Sequence, residues 1–175
     1  LAILDGIENV YLAKVDCTHP VRLQSEVGKR LYAHATGLGK VLLAHLPDDR
    51  LHALLADRVL PSFTTNTIHD LPALLDELAA IRASGYAVDD QEYTPGLRCV
   101  AVPIWDIDGR GLAALSASIL LTRAGSAELM TALSAVAAGS IKLSRRLGRA
   151  PAEPRLEILA DGRVAALRLR HPLDS

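Results

Sequence analysis

Aromatic side chains are scarce in this chain of 175 residues, with one tryptophan, one phenylalanine and four tyrosines. A core must therefore be assembled from Ala, Leu, Val and Ile. Half of the residues are hydrophobic, enough to bury a core of good size. Cysteine is nearly missing too: Cys17 and Cys99 do not make a disulfide scaffold. The six histidines are scattered, and no Cys-x-x-Cys or His-x-x-x-His pair offers zinc-type spacing. There is no basic excess, since the formal net charge is -1. Contact with nucleic acid needs clustered Lys and Arg. The densest basic stretch, 142–149, has the Leu and Ile spacing of a helix with a solvated face. No apolar run approaches the roughly 18 to 20 residues that cross a bilayer. The start, Leu1-Ala2-Ile3-Leu4-Asp5-Gly6, has no signal-peptide pattern and no initiator Met. These absences lead us to expect a reduced, soluble, cytoplasmic domain that is a piece of a longer chain.

What is present reads as alternating short elements. Residues 10–15 and 21–24 read as strands around a turn at 16–20. Thr36-Gly37-Leu38-Gly39 breaks the chain before an apolar helix at 40–46, which Pro47 ends. Asp48 is expected to cap a second helix carrying Leu51, Leu54 and Leu55. Residues 61–69, rich in Thr, read as a loop. Asp70 is expected to cap a helix over 71–83, with Leu71, Leu74, Leu75 and Leu78 at helical spacing, and Gly85 to end it. Three strands follow at 86–92, 98–105 and 112–121, the last two joined by Asp106-Ile107-Asp108-Gly109. A long helix over 126–147 closes the domain. The predicted fold is α+β, a mostly antiparallel sheet flanked by helices. We place the main domain at 1–149, followed over 150–175 by a linker and a β-hairpin around Asp161-Gly162.

Three segments have the composition of a site. Two glycines in Ala35-Thr36-Gly37-Leu38-Gly39-Lys40 let backbone approach a ligand, and the next helix start would favour an anion. The bland alternative is a tight strand-to-helix turn; the Walker A spacer is missing. In Asp89-Asp90-Gln91-Glu92, extended backbone would put Asp89 and Gln91 on one face and Asp90 and Glu92 on the other. The alternative there is a solvated strand end. On the strand after it, Leu97, Cys99 and Ala101 share a face opposite Arg98, and Cys99 reads equally as a buried structural thiol. Ser116 and Ser118 share a face of the last strand. They either satisfy nearby backbone or bind a polar ligand. Neither serine sits in a Gly-x-Ser-x-Gly elbow, and no base is assigned to Cys99, so catalysis has little support.

Three motifs together carry a resemblance. The run from Val27-Gly28-Lys29-Arg30-Leu31-Tyr32-Ala33-His34 through Ala35-Thr36-Gly37-Leu38-Gly39-Lys40 resembles the glycine loop of IclR-family effector domains. Gly85-Tyr86-Ala87-Val88-Asp89-Asp90-Gln91-Glu92 with Pro95-Gly96-Leu97-Arg98-Cys99 resembles a second signature, and Ala113-Ala114-Leu115-Ser116-Ala117-Ser118 a third. The resemblance covers about residues 4–147. It implies a GAF-like or profilin-like effector domain that normally follows an N-terminal winged helix-turn-helix, absent here. It implies a cytoplasmic homodimer or tetramer that senses a small organic acid and meets DNA only through that other domain, with no cofactor, no metal and no membrane partner. Carried over by motif, Gly37 and Leu38 would offer backbone N–H groups to a carboxylate. Asp89, Cys99, Ser116 and Ser118 would give polar contacts, and Leu97 an apolar wall. Tyr32 stands where members often have a small residue or Pro, and is expected to narrow the pocket. Gly37 stands where many have Ala. The rival readings are an enzyme using Cys99 and an oligomerisation module without a ligand; the leading reading is not an enzyme.

Overall fold

The computed structural model describes residues 1–16, 26–123 and 125–148. The expected strand at 21–24, most of the turn before it, Cys17 and the whole 150–175 extension lie outside these residues. Six strands form one sheet in the order β3-β2-β1-β6-β5-β4, with every pairing antiparallel. They are β1 (Ala2–Asp5), β2 (Glu8–Tyr11), β3 (Arg30–Tyr32), β4 (Ala87–Asp90), β5 (Leu97–Trp105) and β6 (Gly111–Leu120). The helices are α1 (Gly37–Ala44), α2 (Asp48–Leu55), α3 (Leu71–Ser84) and α4 (Ser126–Arg146). The α+β class with an antiparallel sheet flanked by helices is as expected.

Strand alternation sorts the core into two layers. Ala2, Ala87, Ala101 and Ala114 face one way and pack with Leu38, Val41, Leu42, Leu74 and Leu78 of α1 and α3. Val88, Val100 and Val102 face the other way, against Leu129, Leu133 and Val136 of α4. The alanines matter for geometry. A row of methyl groups lets α1 lie close on the sheet, and Gly39 lets it close on the turn that carries Ala33. A Cβ on Gly39 would stand 2.2 Å from the Ala33 Cα, and one on Gly37 would stand 3.4 Å from the Ala101 Cβ.

The glycine motif therefore does not break the chain before a helix. It forms the first turn of α1, with Thr36 as the cap whose hydroxyl accepts from the Gly39 N–H at 3.1 Å. The same hydroxyl donates to Asn9 Oδ1 at 2.6 Å, tying the helix start to β2. Asp70 caps α3 as expected, accepting from the Ala73 N–H, and Gly85 ends that helix in the left-handed region at φ 79°. Asp48 is not a cap. It is the first helical residue of α2, Pro47 occupies the cap position, and the Asp48 carboxylate pairs with Arg82 at 2.8 Å.

The strand expected over 10–15 stops at Tyr11, because the Leu12 and Ala13 N–H groups both turn to the Leu1 carbonyl. β1 and β3 were not expected; at four and three residues they are too short to show alternation. α4 is pinned to the end of β5 by its serines. Ser144 Oγ accepts from the Trp105 N–H at 2.9 Å, and Ser140 donates to the Pro103 carbonyl.

Gly39→Ala is expected to cost more than about 3 kcal/mol, since the new methyl would overlap Ala33 backbone that cannot rotate away. Gly37→Ala should stay within about 1 kcal/mol of the parent, its methyl meeting only ordinary contacts. Urea denaturation of both variants checks the contrast; equal midpoints would contradict the packing described.

Candidate ligand-binding site

The α1 face of the sheet is apolar at one end and polar at the other. Register explains the change. Asp89 lies opposite Cys99, and Cys99 opposite Ser118; the next rank on that face is Ala87, Ala101 and Ser116. α1 covers the alanines and begins where the polar ranks begin. Its first N–H groups have no partner within the helix. Thr36 takes that of Gly39. Those of Gly37 and Leu38 remain, at the positive end of the helix dipole.

A cavity of about 980 Å³ opens at this boundary. Gly37, Leu38, Asp89, Leu97, Cys99, Ser116 and Ser118 all line it, the seven residues that the resemblance offers as ligand contacts. The opposite wall is Leu1, Tyr11 and Leu31, with Lys14 and Lys29 beside them. The cavity is lined from both halves of the sheet, β1 to β3 and β4 to β6, which meet at Ala2 and Ala114.

Some readings need correction. The acidic run is no solvated strand end: Asp89, Asp90 and Glu92 are all buried. Nor do its side chains alternate throughout, because Gln91 adopts φ 60° and ends the strand. Asp90 pairs in the interior with Arg98 at 2.6 Å, as their register position allows. Asp89 Oδ1 accepts the Glu92 N–H at 2.8 Å. Tyr32 is not among the residues around the cavity. It packs instead with His34 and Phe63, at ring separations of 5.8 and 5.6 Å. The neighbouring Leu31 points to the cavity in its place.

Beneath the cavity floor lies a charge cluster that the sequence reading did not find. Lys40 is fully buried. Its Nζ donates to Glu92 Oε1 at 2.5 Å, to the Val88 carbonyl at 2.8 Å and to Glu77 Oε1 at 3.1 Å. Burial works against the ammonium, but Glu92 and Glu77 outweigh it and hold its pKa above the ordinary value. Asp89 has no such cation to itself. Burial, then the Glu92 carboxylate, push it up to about 7.

Burial raises the Cys99 thiol, and nearby Asp89 adds to the rise. Its Sγ lies 3.1 Å from Ser118 Oγ. The thiolate needed for nucleophilic attack is thus disfavoured. Tyr11 and Tyr93 also border the cavity and were not singled out from sequence. Burial raises the Tyr11 phenol, helped by Cys99, Asp89 and Tyr93, so it stays a neutral donor. Among the described residues no group of three metal-ligating side chains occurs, and no helix is long and apolar enough to cross a membrane.

Residues 1–145 match the family described as bacterial transcriptional regulator IclR, C-terminal. The chain is 43% identical over 148 residues to the HTH-type transcriptional regulator XynR of Escherichia coli, covering 85% of this chain and 59% of that protein. It therefore spans about three fifths of that relative's length. Among solved structures, the IclR protein of Thermotoga maritima superposes with a TM-score of 0.79 at 33% identity, covering 84% of this chain and 60% of that one. The inducer-binding domain of the PobR transcription factor from Acinetobacter, a double mutant in complex with 3-hydroxybenzoic acid, superposes with a TM-score of 0.71 at 30% identity, covering 82% and 85%.

Lys40→Met is expected to destabilise the domain by about 3 to 5 kcal/mol, because Glu92 and Glu77 would lose the ammonium that compensates them. Urea titration of the variant beside the parent checks this; a loss below about 1 kcal/mol would contradict the compensation described.

Proposed function

Since the chain belongs to the IclR family of bacterial transcriptional regulators and corresponds to their C-terminal domain, we propose that it is the sensor of such a regulator and binds a small organic carboxylate. The carboxylate sits on the Gly37 and Leu38 N–H groups. Ser116, Ser118 and Cys99 meet the polar remainder of the ligand, Asp89 meets a hydroxyl or other donor, and Leu97 packs against its carbon skeleton. The observation that carries this reading is the helix start opening on a cavity whose far side is lined with hydroxyl, thiol and carboxyl groups. Such N–H groups attract anions and discriminate little among carboxylates, so the serines and Asp89 set selectivity. The aromatic hydroxy acid bound by the PobR domain supports the ligand class. The raised Cys99 thiol favours a contact residue over a nucleophile.

The same reading assigns DNA contact to another domain of the full-length protein, acting in the cytoplasm. It also assigns assembly to this domain. Exposed Ile107, Leu112 and Leu147 leave apolar surface beyond what the monomer buries, and a homodimer or tetramer would cover it.

A thermal-shift screen of organic acids tests the ligand. Stabilisation by carboxylates is expected; a response only to cations or wholly apolar compounds would reject the class. Ser116→Ala and Ser118→Ala should each cost roughly 1.5 to 3 kcal/mol of binding, about ten- to a hundred-fold in affinity, without unfolding the domain. Unchanged affinity in both would move the site elsewhere. Sedimentation at micromolar concentration should show a dimer or tetramer, and monomer alone would refute the assembly.

A further inference from the structure

The cavity floor poses a problem of charge. An ammonium has three N–H donors, and all three of Lys40 are engaged, by Glu92, Glu77 and the Val88 carbonyl. The cation under the cavity is therefore spent on two carboxylates already. Asp89 is the third carboxylate of this region. It borders the cavity, it is buried, and its Oδ1 accepts a backbone N–H from Glu92. It also stands beside the helix start: a Cβ on Gly37 would lie 3.7 Å from the Asp89 Cβ. A ligand carboxylate on the Gly37 and Leu38 N–H groups would thus be a fourth, next to the third. Like charges this close do not both ionise in a poorly solvated site.

The other groups facing Asp89 do not relieve the conflict. From β2 comes the Tyr11 phenol, from β5 the Cys99 thiol, and from the turn after β4 come Tyr93 and the Glu92 carboxylate. From α1 comes Lys40, committed as described. The far wall carries Lys14, which pairs with Asp16 at 3.0 Å, and Lys29, which is half-exposed at the edge of the sheet. We propose that a carboxylate effector enters this cavity together with one proton, which Asp89 takes from solvent as the anion docks. The balance is simple. Ligand carboxylate, Asp89 carboxylate and a proton given up by the buffer acid become bound carboxylate, the neutral Asp89 acid and buffer base. The new O–H then turns a repelling acceptor into a donor for the ligand. Burial and Glu92 already hold Asp89 near 7, so the proton is available at modest cost around neutrality.

The inference rests on the carboxylate reading, and one experiment separates the two. Glycolate, 2-ketobutyrate and 3-hydroxybenzoate are titrated into the protein by calorimetry at pH 8, each in Tris and in HEPES. The difference in heat between buffers counts protons. Uptake close to one proton per ligand is expected at pH 8, falling well below one half at pH 6, where Asp89 is already protonated. Affinity should be flat below about pH 6 and fall about tenfold per pH unit above pH 8. Asp89→Asn should bind with no proton uptake and with affinity independent of pH. Glu92→Gln removes a neighbouring charge and keeps the Glu77 partner of Lys40, and should move the break in the pH profile downward. An acid that binds at pH 8 with no buffer dependence overturns the proton coupling and leaves the carboxylate reading standing. Failure of all three acids, and of the wider screen, takes both down. If the two variants fail to fold, the buffer dependence of the unaltered protein still decides.

Discussion

An ammonium with no access to water joins three parts of the chain that are distant in sequence. Lys40 comes from α1, Glu77 from α3, and Val88 and Glu92 from β4 and the turn after it. Desolvating an ammonium costs several kcal/mol, and only close, complete pairing recovers it. Completeness fixes geometry. For Nζ to reach both carboxylates and a strand carbonyl, α1 must lie at one depth on the sheet and at one rotation about its axis. That depth requires alanine on the facing strands, and glycine at position 39 lets the helix fold back against the turn that carries Ala33. That rotation aims the first N–H groups of α1 at the polar ranks of β5 and β6. The cavity is thus a product of how the lysine is buried.

Much of the architecture could be read from local chemistry. Asp70 and Gly85 bracket α3 because capping and left-handed backbone are properties of a residue and its nearest neighbours. The same holds for the β5 and β6 strands, whose long alternation states which side chains share a face. Cys99, Ser116 and Ser118 were placed together by that rule and by resemblance, and their register agrees. What escaped was set by contacts remote in sequence. β1 and β3 are strands because each completes a ladder begun elsewhere. The glycine run looked like an interruption, since low helix propensity is visible locally and the closeness of Ala33 is not. The acidic run looked solvated for the same reason. Its cations, Lys40 and Arg98, are 52 and 8 residues from their partners. Tyr11 and Tyr93 reach the cavity from a strand end and a turn that no spacing rule links. The signal for Lys40 was present all the same: an isolated cation in an otherwise apolar helix has to find carboxylates.

The chemistry of the cavity follows from which groups can carry charge there. The serines, Cys99 and Tyr11 stay neutral and supply hydrogen bonds of either sense. The helix start supplies partial positive charge that never titrates. Asp89, held up to about 7, changes charge near neutrality. Recognition is thereby divided between a permanent feature of the backbone and an adjustable side chain.

The sheet brings two sets of strands to one cavity: Tyr11 and Leu31 from β2 and β3 on one side, Asp89, Cys99 and Ser118 from β4, β5 and β6 on the other. α1 packs across both sets, with Ala2 and Ala101 under it and Thr36 bonded to Asn9, so the spacing between the two walls is held by the helix. An occupant that touches both walls is therefore gauged for girth as well as for charge.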